Sequence, residues 1–141
     1  MSRVRDIVHK RELFYVEERF TVTEAARKMA DLNVGAIMVL KGENLRGIFS
    51  ERDIMNRIVL DRLDPDQTRV GLVMTTNVVT IDELASLEEA MEAMQVNNCR
   101  HLPVTRGGRV ISFLSMRDLM NFELARKTEE LHHMRAYIGS A

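Results

Sequence analysis

Apolar positions along the chain change from a helical period to runs of strand length and back, and these changes divide the first half into elements. Alanine and methionine recur at helical spacing behind the capping box Thr21-x-x-Glu24, which predicts an amphipathic helix. Two apolar runs flank a polar turn around Gly42 and predict a β-hairpin. The predicted order is a strand at 13–16, a helix that ends near Asn33, strands at 36–40 and 45–49, and a second helix from Ser50.

The same βαββα unit recurs in the second half of the chain at a constant offset of 65 residues. Laid over each other without a gap, 21–55 and 86–120 share ten identical residues in 35 pairs, where about two are expected from average composition. The second unit is predicted as a strand at 78–81, a helix from Ser86-x-x-Glu89 to near Asn98, strands at 101–105 and 110–114, and a second helix from Ser115.

Two such units predict a mixed fold, α/β in the wider sense (α+β), in which the two copies pack pseudo-symmetrically. A unit of about 55 residues with three short strands is marginal alone, and its twin can cover its open face. A lead-in element is duplicated as well, at 4–8 and 70–74. We expect a first repeat at 1–65, a second repeat at 66–125 and a C-terminal helix extension at 126–141, with the charged segment 61–69 as a linker.

Composition excludes several classes of protein. Twenty basic and twenty-one acidic side chains give a formal charge of −1, and no basic stripe favours nucleic acid. No apolar run approaches the roughly eighteen residues that cross a membrane, and the N-terminus lacks the apolar core of a secretory signal. The single Cys99 has no disulfide partner within the chain. We therefore expect a cytoplasmic protein with no nucleic-acid or membrane partner.

The segments that close each hairpin, 47–53 and 112–118, share the pattern Ser-x-Arg-Asp at a strand-to-helix junction. A serine hydroxyl and free backbone N–H groups at a helix start suit an anion, arginine adds donors for phosphate, and aspartate can accept bonds from ribose hydroxyls. The same spacing also describes a simple helix N-cap with an acidic residue in the first turn. The pattern alone leaves both interpretations open.

Nearly the whole chain resembles a tandem pair of CBS domains, the arrangement called a Bateman module, here expected to stand alone without a fused partner domain. The motifs that carry the resemblance are the lead-in Val4 to Val8, the amphipathic helix Glu24 to Asn33, the run Arg100-His101-Leu102-Pro103-Val104, and Gly47 to Asp53. The resemblance implies a regulatory module that is not an enzyme and that acts in trans on an unknown target protein, with no catalytic cofactor and no metal.

By the same resemblance, the cleft between the paired domains binds an adenosine compound. AMP or ATP is the expected ligand, and NAD(H) and S-adenosylmethionine belong to the same class. The resemblance places Asp53 and Asp118 at ribose hydroxyls. Phosphate is expected near Ser50, Ser115, Arg52, Arg117, Arg100 and His101, and adenine near Val79, Thr80, Leu102, Pro103 and, in the first copy, Ile37 and Met38. For His101, a polar residue at a strand edge remains the alternative.

The two copies depart from the family pattern in different places. Ser112 stands where the pattern has Gly47, and its Cβ is expected to crowd a backbone that must approach the ligand. Met38 replaces proline in the first copy, and Gly35-Ala36 replaces the basic pair of the second. We therefore expect unequal sites, with the tighter one for a charged nucleotide in the second copy.

The C-terminal stretch 116–138 is long for a closing helix and carries Leu124, Leu131 and Ile138 at heptad spacing. Two interpretations remain open for it. It forms a contact in a homodimer, which the family's habit of pairing modules favours, or it packs back onto its own module.

Other candidate groups are weaker. His132 and His133 are neighbours on a helix and so do not face one metal together. Cys99 has no histidine arranged as its base and is expected as a small buried hydrophobe. Two competing hypotheses remain: a nucleotide-independent interaction module, and an enzyme with His101 and Asp118 as acid and base.

Overall fold

The computed structural model of the protein describes residues 1–139. Its elements in chain order are α1 (Val4–Val8), β1 (Tyr15–Glu17), α2 (Val22–Leu32), β2 (Ala36–Lys41), β3 (Asn44–Ser50), α3 (Glu51–Asp53), a π-helical segment (Ile54–Val59), α4 (Val70–Val73), β4 (Ile81–Asp82), α5 (Leu87–Val96), β5 (His101–Arg106), β6 (Arg109–Ser115) and α6 (Met116–Gly139). The predicted mixed α/β fold with two similar repeats is confirmed.

Each repeat forms a three-stranded sheet whose middle strand is the first strand of the hairpin. β1 runs parallel to β2, and β4 runs parallel to β5, because a helix crosses over between the paired strands. The hairpins β2–β3 and β5–β6 are antiparallel, as predicted. The leading strands are shorter than predicted: β4 has two residues, since it pairs with β5 only at Val104 and Thr105.

Side-chain caps begin the two amphipathic helices where the sequence predicted them. The Thr21 hydroxyl accepts the Glu24 N–H at 3.1 Å, and Glu24 Oε1 accepts the Thr21 N–H at 3.1 Å. In α5 the Ser86 hydroxyl accepts the Glu89 N–H at 3.1 Å. α2 ends where Asn33 adopts a φ of 55°, a left-handed conformation that asparagine tolerates.

The helices that follow the hairpins differ in length between the repeats. In the first repeat, α3 has three residues and continues as a six-residue π-helical segment. In the second, α6 runs for 24 residues, which confirms the long C-terminal helix. Positions 126–139 of the predicted extension lie in α6, and 140–141 lie outside the described residues. Within 1–139, no helix is long and apolar enough to span a bilayer.

Each lead-in helix packs against the other repeat. In α1, Val4 and Val8 belong to the core of the second repeat, and the Val4 N–H donates to the Ala85 carbonyl at 2.9 Å. In α4, Val70 belongs to the core of the first repeat, and its N–H donates to the Phe20 carbonyl at 2.8 Å. This exchange ties the two repeats together and brings the segments after α1 and α4 to the opposite repeat.

A third apolar cluster lies between the two sheets. Alternation along β2 sends Ile37 into the core of the first repeat and Met38 to the opposite face. Met38 packs there in one cluster with Phe113 of the second sheet. The rings of Phe14 and Phe113 meet edge to face, with centroids 6.4 Å apart. The cluster joins the two sheets and includes Ile48 of β3 and Phe113 of β6.

α6 is buried only in its first turns. Leu119 is fully buried, and α6 contacts α1 and α5. The heptad residues Leu124, Leu131 and Ile138 are 66%, 53% and 69% exposed. The outer part of α6 therefore presents apolar side chains to solvent in the single chain.

Candidate functional site

The Ser-x-Arg-Asp motifs at 50–53 (the first motif) and at 115–118 (the second motif) each lie where a hairpin strand ends and a helix begins, beside the interface between the repeats. β3 and β6 each end at the serine of the motif. The first helical N–H then bonds back to the start of the middle strand: Glu51 N–H to the Gly35 carbonyl at 3.0 Å, and Met116 N–H to the Arg100 carbonyl at 2.8 Å. The two junctions therefore share one backbone scaffold, and they differ in their side chains.

In the second repeat, Asp118 closes a helix cap and also receives an arginine from the first repeat. Its Oδ2 accepts the Ser115 N–H at 2.8 Å, and its own N–H donates to the Ser115 hydroxyl at 3.1 Å. Arg11 Nη1 donates to the same Oδ2 at 2.8 Å and to the Phe113 carbonyl at 3.3 Å. Oδ1 of Asp118 accepts no hydrogen bond within residues 1–139, and the side chain is 22% exposed. That oxygen is open to a ligand donor.

The contacts of Asp118 also fix its charge. Burial raises the pKa of this carboxyl group, but the hydrogen bonds from Arg11 and Ser115 outweigh burial and hold the pKa below its usual value. Asp118 is therefore an anion at neutral pH and acts as a hydrogen-bond acceptor only. Such a group suits the hydroxyl donors of a ribose, and it is a poor proton donor for acid catalysis near pH 7.

In the first repeat, Asp53 has the same cap, but both of its oxygens are occupied. Oδ2 accepts the Ser50 N–H at 3.0 Å and the Ser50 hydroxyl at 3.2 Å. Oδ1 accepts the Thr75 hydroxyl at 3.0 Å and lies 3.8 Å from Arg57 Nε. The side chain is 8% exposed. The first aspartate is used by the protein itself.

The alternative interpretation of the pattern as a helix cap is confirmed in both repeats. Each serine hydroxyl accepts the aspartate N–H three residues later, and each carboxylate accepts the serine N–H. A cap leaves carboxylate lone pairs for other donors, so capping and ligand binding do not exclude each other. The ligand contacts of these residues stay predictions.

A close backbone contact accounts for the difference between Gly47 and Ser112. The Ile48 N–H donates to the Thr75 carbonyl at 2.9 Å, and the Thr75 N–H donates back to Ile48 at 2.8 Å. A Cβ on Gly47 would lie 2.5 Å from the Thr75 oxygen and 2.8 Å from Met74 Sδ. We expected this glycine to serve the approach of a ligand, whereas the approach found in the structure is that of the chain's own segment after α4.

His101 begins β5 and lies beside the second motif. Its ring stacks on Phe113, with centroids 5.1 Å apart and an angle of 24° between the planes. Burial lowers the pKa of this half-buried imidazole, and the charges of Asp118 and, from the first repeat, Glu51 oppose the shift. The ring is therefore neutral at neutral pH, and the charges of carboxylates from both repeats act on it.

The basic residues assigned to phosphate are on the surface. Arg52, Arg100 and Arg117 are exposed, and among residues 1–139 none of them forms an ion pair or a side-chain hydrogen bond with another residue. Thr80 is exposed as well, and Val79 is half-buried at the edge of the second core. These side chains are free to meet a ligand.

The apolar residues assigned to adenine lie deeper. Leu102 and Ile37 are fully buried, each in the core of its own repeat. Met38 belongs to the cluster between the sheets, and Pro103 pairs with Phe113 across the second hairpin, which puts both on the interface side. Their contact with adenine stays a prediction.

Other groups add no competing site. Cys99 is half-buried against the second core, and burial raises the pKa of its thiol, so it behaves as a small hydrophobe. In the described part of the chain, no three histidine, cysteine, aspartate or glutamate side chains gather as metal ligands. Two open concavities of about 540 and 550 Å³ are lined by residues of α2 and α4, respectively, and neither includes a residue of 50–53 or 115–118.

Sequence reasoning missed the residues that approach each motif from the other repeat. Arg11 meets Asp118, and Thr75 meets Asp53. Both follow a lead-in helix, and the only sequence signal is that the lead-in segments 4–8 and 70–74 are duplicated at an offset of 66 residues, one more than the rest. The first copy therefore has one residue more than the second between its lead-in segment and its amphipathic helix.

Comparison with known proteins agrees with this architecture. A family model of the CBS domain matches residues 4–60 and 70–125. The mitochondrial CBS domain-containing protein CBSX3 of Arabidopsis thaliana is 34% identical over 123 residues, which cover 84% of this chain and 60% of that protein. The chain thus spans less than two thirds of this relative.

Solved structures share the fold. A CBS-domain protein from Burkholderia ambifaria has a TM-score of 0.83 and 31% identity, over 88% of this chain and 95% of that one. A CBS domain protein from Pyrobaculum aerophilum, solved in complex with AMP, has a TM-score of 0.75 and 28% identity, over 83% of this chain and 89% of that one. Since two copies of the domain model match more than half of the sequence, on a fold shared with these structures, the chain belongs to the CBS-domain family as a tandem pair.

Proposed function

We propose that the chain is a regulatory module that binds an adenosine nucleotide, AMP or ATP, in the cleft between the repeats at the second motif (the second cleft). The observation that carries the proposal is Asp118 Oδ1, which accepts no hydrogen bond within residues 1–139 and belongs to a carboxylate side chain that is 22% exposed. A ribose hydroxyl is the kind of donor that such an oxygen accepts. The AMP complex of the similar Pyrobaculum aerophilum protein supports this class of ligand.

The charges around the second motif support a phosphorylated ligand. Arg100 and Arg117 are both exposed, and their backbones meet at this junction, because the N–H of Met116, the residue before Arg117, donates to the Arg100 carbonyl. Ser115 and His101 stay assigned to the phosphate side, and Val79 and Thr80 to the adenine side. NAD(H) and S-adenosylmethionine remain alternatives because they share the adenosine part that Asp118 would bind.

The cleft at the first motif (the first cleft) is expected to bind the nucleotide less tightly. The Asp53 carboxylate keeps free lone pairs but is nearly closed to solvent, so a ribose would compete with the Thr75 and Ser50 hydroxyls for access to it. Displacing a protein hydrogen bond cancels most of the gain from the new one. We therefore propose one nucleotide per chain when ligand is scarce, with the second cleft filled first.

Regulation follows if the nucleotide favours one of two arrangements of the repeats. The second cleft draws side chains from both repeats, Arg11 from the first and Asp118 from the second, so a ligand there acts on their relative position. The change in equilibrium equals the ligand's differential affinity for the two arrangements. We propose that a target protein in the cytoplasm responds to this change in trans.

A nucleotide-independent interaction module is the second candidate function. The exposed Leu124, Leu131 and Ile138 of α6 favour it, because apolar side chains at heptad spacing suit a helix of a second copy. A homodimer through α6 is compatible with both functions. The two are separated by whether a nucleotide binds at all.

The test is a calorimetric and thermal-shift titration of AMP, ATP, NADH and S-adenosylmethionine against the wild type, Asp118→Ala and Asp53→Ala. Asp118→Ala should weaken binding of the preferred nucleotide by about 1.5–3 kcal/mol, because it removes a charged acceptor of ligand hydrogen bonds. Asp53→Ala is the matched control: it should lower the melting temperature and leave binding to the second cleft unchanged. A ligand of the native state raises the melting temperature by mass action.

Two outcomes would count against the proposal. If no adenosine compound binds the wild type at millimolar concentration, the interaction module becomes the better explanation. If Asp118→Ala lowers the melting temperature but leaves binding unchanged, the Asp118 carboxylate acts only as a helix cap.

A further inference from the structure

The two motifs receive different partners from the opposite repeat, and the difference concerns Arg11. At the first motif the backbone itself comes close, because Thr75 forms a two-way backbone bridge with Ile48 beside Gly47. At the second motif no such bridge is present within residues 1–139, and Ser112 carries a Cβ at the position of Gly47. Arg11 spans the gap with its side chain and reaches the carbonyl and the carboxylate that face it.

Arg11 is held in place but is only partly used. Both of its hydrogen bonds come from Nη1, one to Asp118 Oδ2 and one to the Phe113 carbonyl. Its Nε and Nη2 donate to no acceptor in the described residues, and the side chain is 34% exposed. A guanidinium with two fixed bonds and two free donor atoms is already oriented for an anion, which it can bind through a fork of N–H groups.

We infer that Arg11 determines the specificity of the second cleft for a phosphorylated adenosine compound, by holding the phosphate beside the ribose that Asp118 binds. The inference rests on the proposed function and deepens it, since it names the chemical group that the cleft selects. Arg11 and Asp118 form one ion pair, which brings the free donors of the guanidinium close to the free oxygen of the carboxylate. A ligand can therefore bind Arg11 through its phosphate and Asp118 through its ribose. Adenosine, which lacks the phosphate, leaves the free donors of Arg11 to water.

The simpler alternative is that Arg11 only orients Asp118. That role predicts an equal loss for every ligand that bonds to Asp118, with or without a phosphate. The specificity role predicts a loss that depends on the phosphate. A comparison of AMP with adenosine therefore separates the two roles in one protein.

The experiment measures the dissociation constants of AMP and adenosine by calorimetry for the wild type, Arg11→Met, Arg11→Lys and Arg57→Met. Arg11→Met should weaken AMP binding about tenfold or more and change adenosine binding by less than about twofold, because a charged hydrogen bond to phosphate is lost. Arg11→Lys keeps the charge without the fork and should recover part of the loss. Arg57→Met removes the cation that pairs with Asp53 of the first motif, and it should leave the AMP-to-adenosine ratio unchanged.

Thermal unfolding of each variant shows that it is folded, and Arg11→Gln, which keeps donors for Phe113 and Asp118, replaces Arg11→Met if that variant does not fold. An equal loss for AMP and adenosine would overturn the inference and leave the proposed function intact. If the wild type binds neither ligand, the proposed function falls and takes the inference with it.

Discussion

The first and second motifs of this chain have the same sequence pattern, the same strand-to-helix junction and the same serine–aspartate cap, yet their carboxylates meet different surroundings. Asp53 is buried under Thr75 and Arg57, with both oxygens bonded or paired. Asp118 is partly exposed, pairs with Arg11 through one oxygen and keeps the other open. The comparison separates what a motif specifies from what its neighbours specify.

The difference starts at one small residue. Gly47 lets the segment after α4 form a backbone bridge, which brings the Thr75 hydroxyl to Asp53. Ser112 occupies the equivalent position in the second repeat, where the opposite segment approaches through a long side chain. A structural aspartate and a candidate ligand-binding aspartate can thus arise from one duplicated sequence.

The largest effect is expected from closing the gap at Gly47. Gly47→Ala places a Cβ against the Thr75 carbonyl and Met74, so we expect it to lower the free energy of unfolding by about 2–3 kcal/mol. Ser112→Ala, the matched control in the second repeat, removes only a hydroxyl and should cost less than about 1 kcal/mol. Urea unfolding measures both. Equal midpoints for the two variants would mean that the backbone bridge contributes nothing special.

A smaller effect is expected from the two caps, and it should differ between the repeats. Ser50→Ala removes a hydroxyl that both accepts from and donates to buried Asp53, and we expect a cost of about 2 kcal/mol. Ser115→Ala removes only the bond to the Asp118 N–H and should cost about 1 kcal/mol. Urea midpoints measure the stabilities, and AMP titration should show weaker binding for Ser115→Ala alone. The reverse order of binding effects would contradict the assignment of the site to the second repeat.

Local sequence signals predicted most of the fold because each of them acts within a few residues. The capping boxes, the apolar hairpins and the left-handed Asn33 need no knowledge of distant contacts. The ungapped repeat added the pseudo-symmetry. Both motif aspartates were identified in the same way, and their caps have the geometry that the spacing indicates.

Contacts between the repeats were beyond local reasoning. Val4 and Val70 look like parts of their own repeats, and only packing shows that each lies in the core of the other. Arg11 stands outside every motif, so nothing in its sequence context indicated a partner 107 positions away. The prediction that Gly47 makes room for a ligand also lacked such a contact, because the group that comes close to this glycine is the Thr75 carbonyl after α4.

The smallest effect is expected from protonation of His101. Its equivalent in the first repeat is Ala36, which does not titrate. Burial holds the pKa of His101 below its usual 6.5, despite opposition from Asp118 and Glu51, and Arg100 lowers it further. As pH falls through about 6.5 the unfolded chain takes up this proton first, so the free energy of unfolding should fall with pH until the folded imidazole is protonated as well. Urea unfolding of the wild type and His101→Gln at about pH 8 and about pH 5.5 isolates the contribution of His101 to the free energy of unfolding. The wild type should lose more stability on acidification than the variant. An identical loss in both proteins would show that the imidazole on Phe113 is as easily protonated as in the unfolded chain, and the second cleft would then lack the shielded neutral ring that distinguishes it from the first.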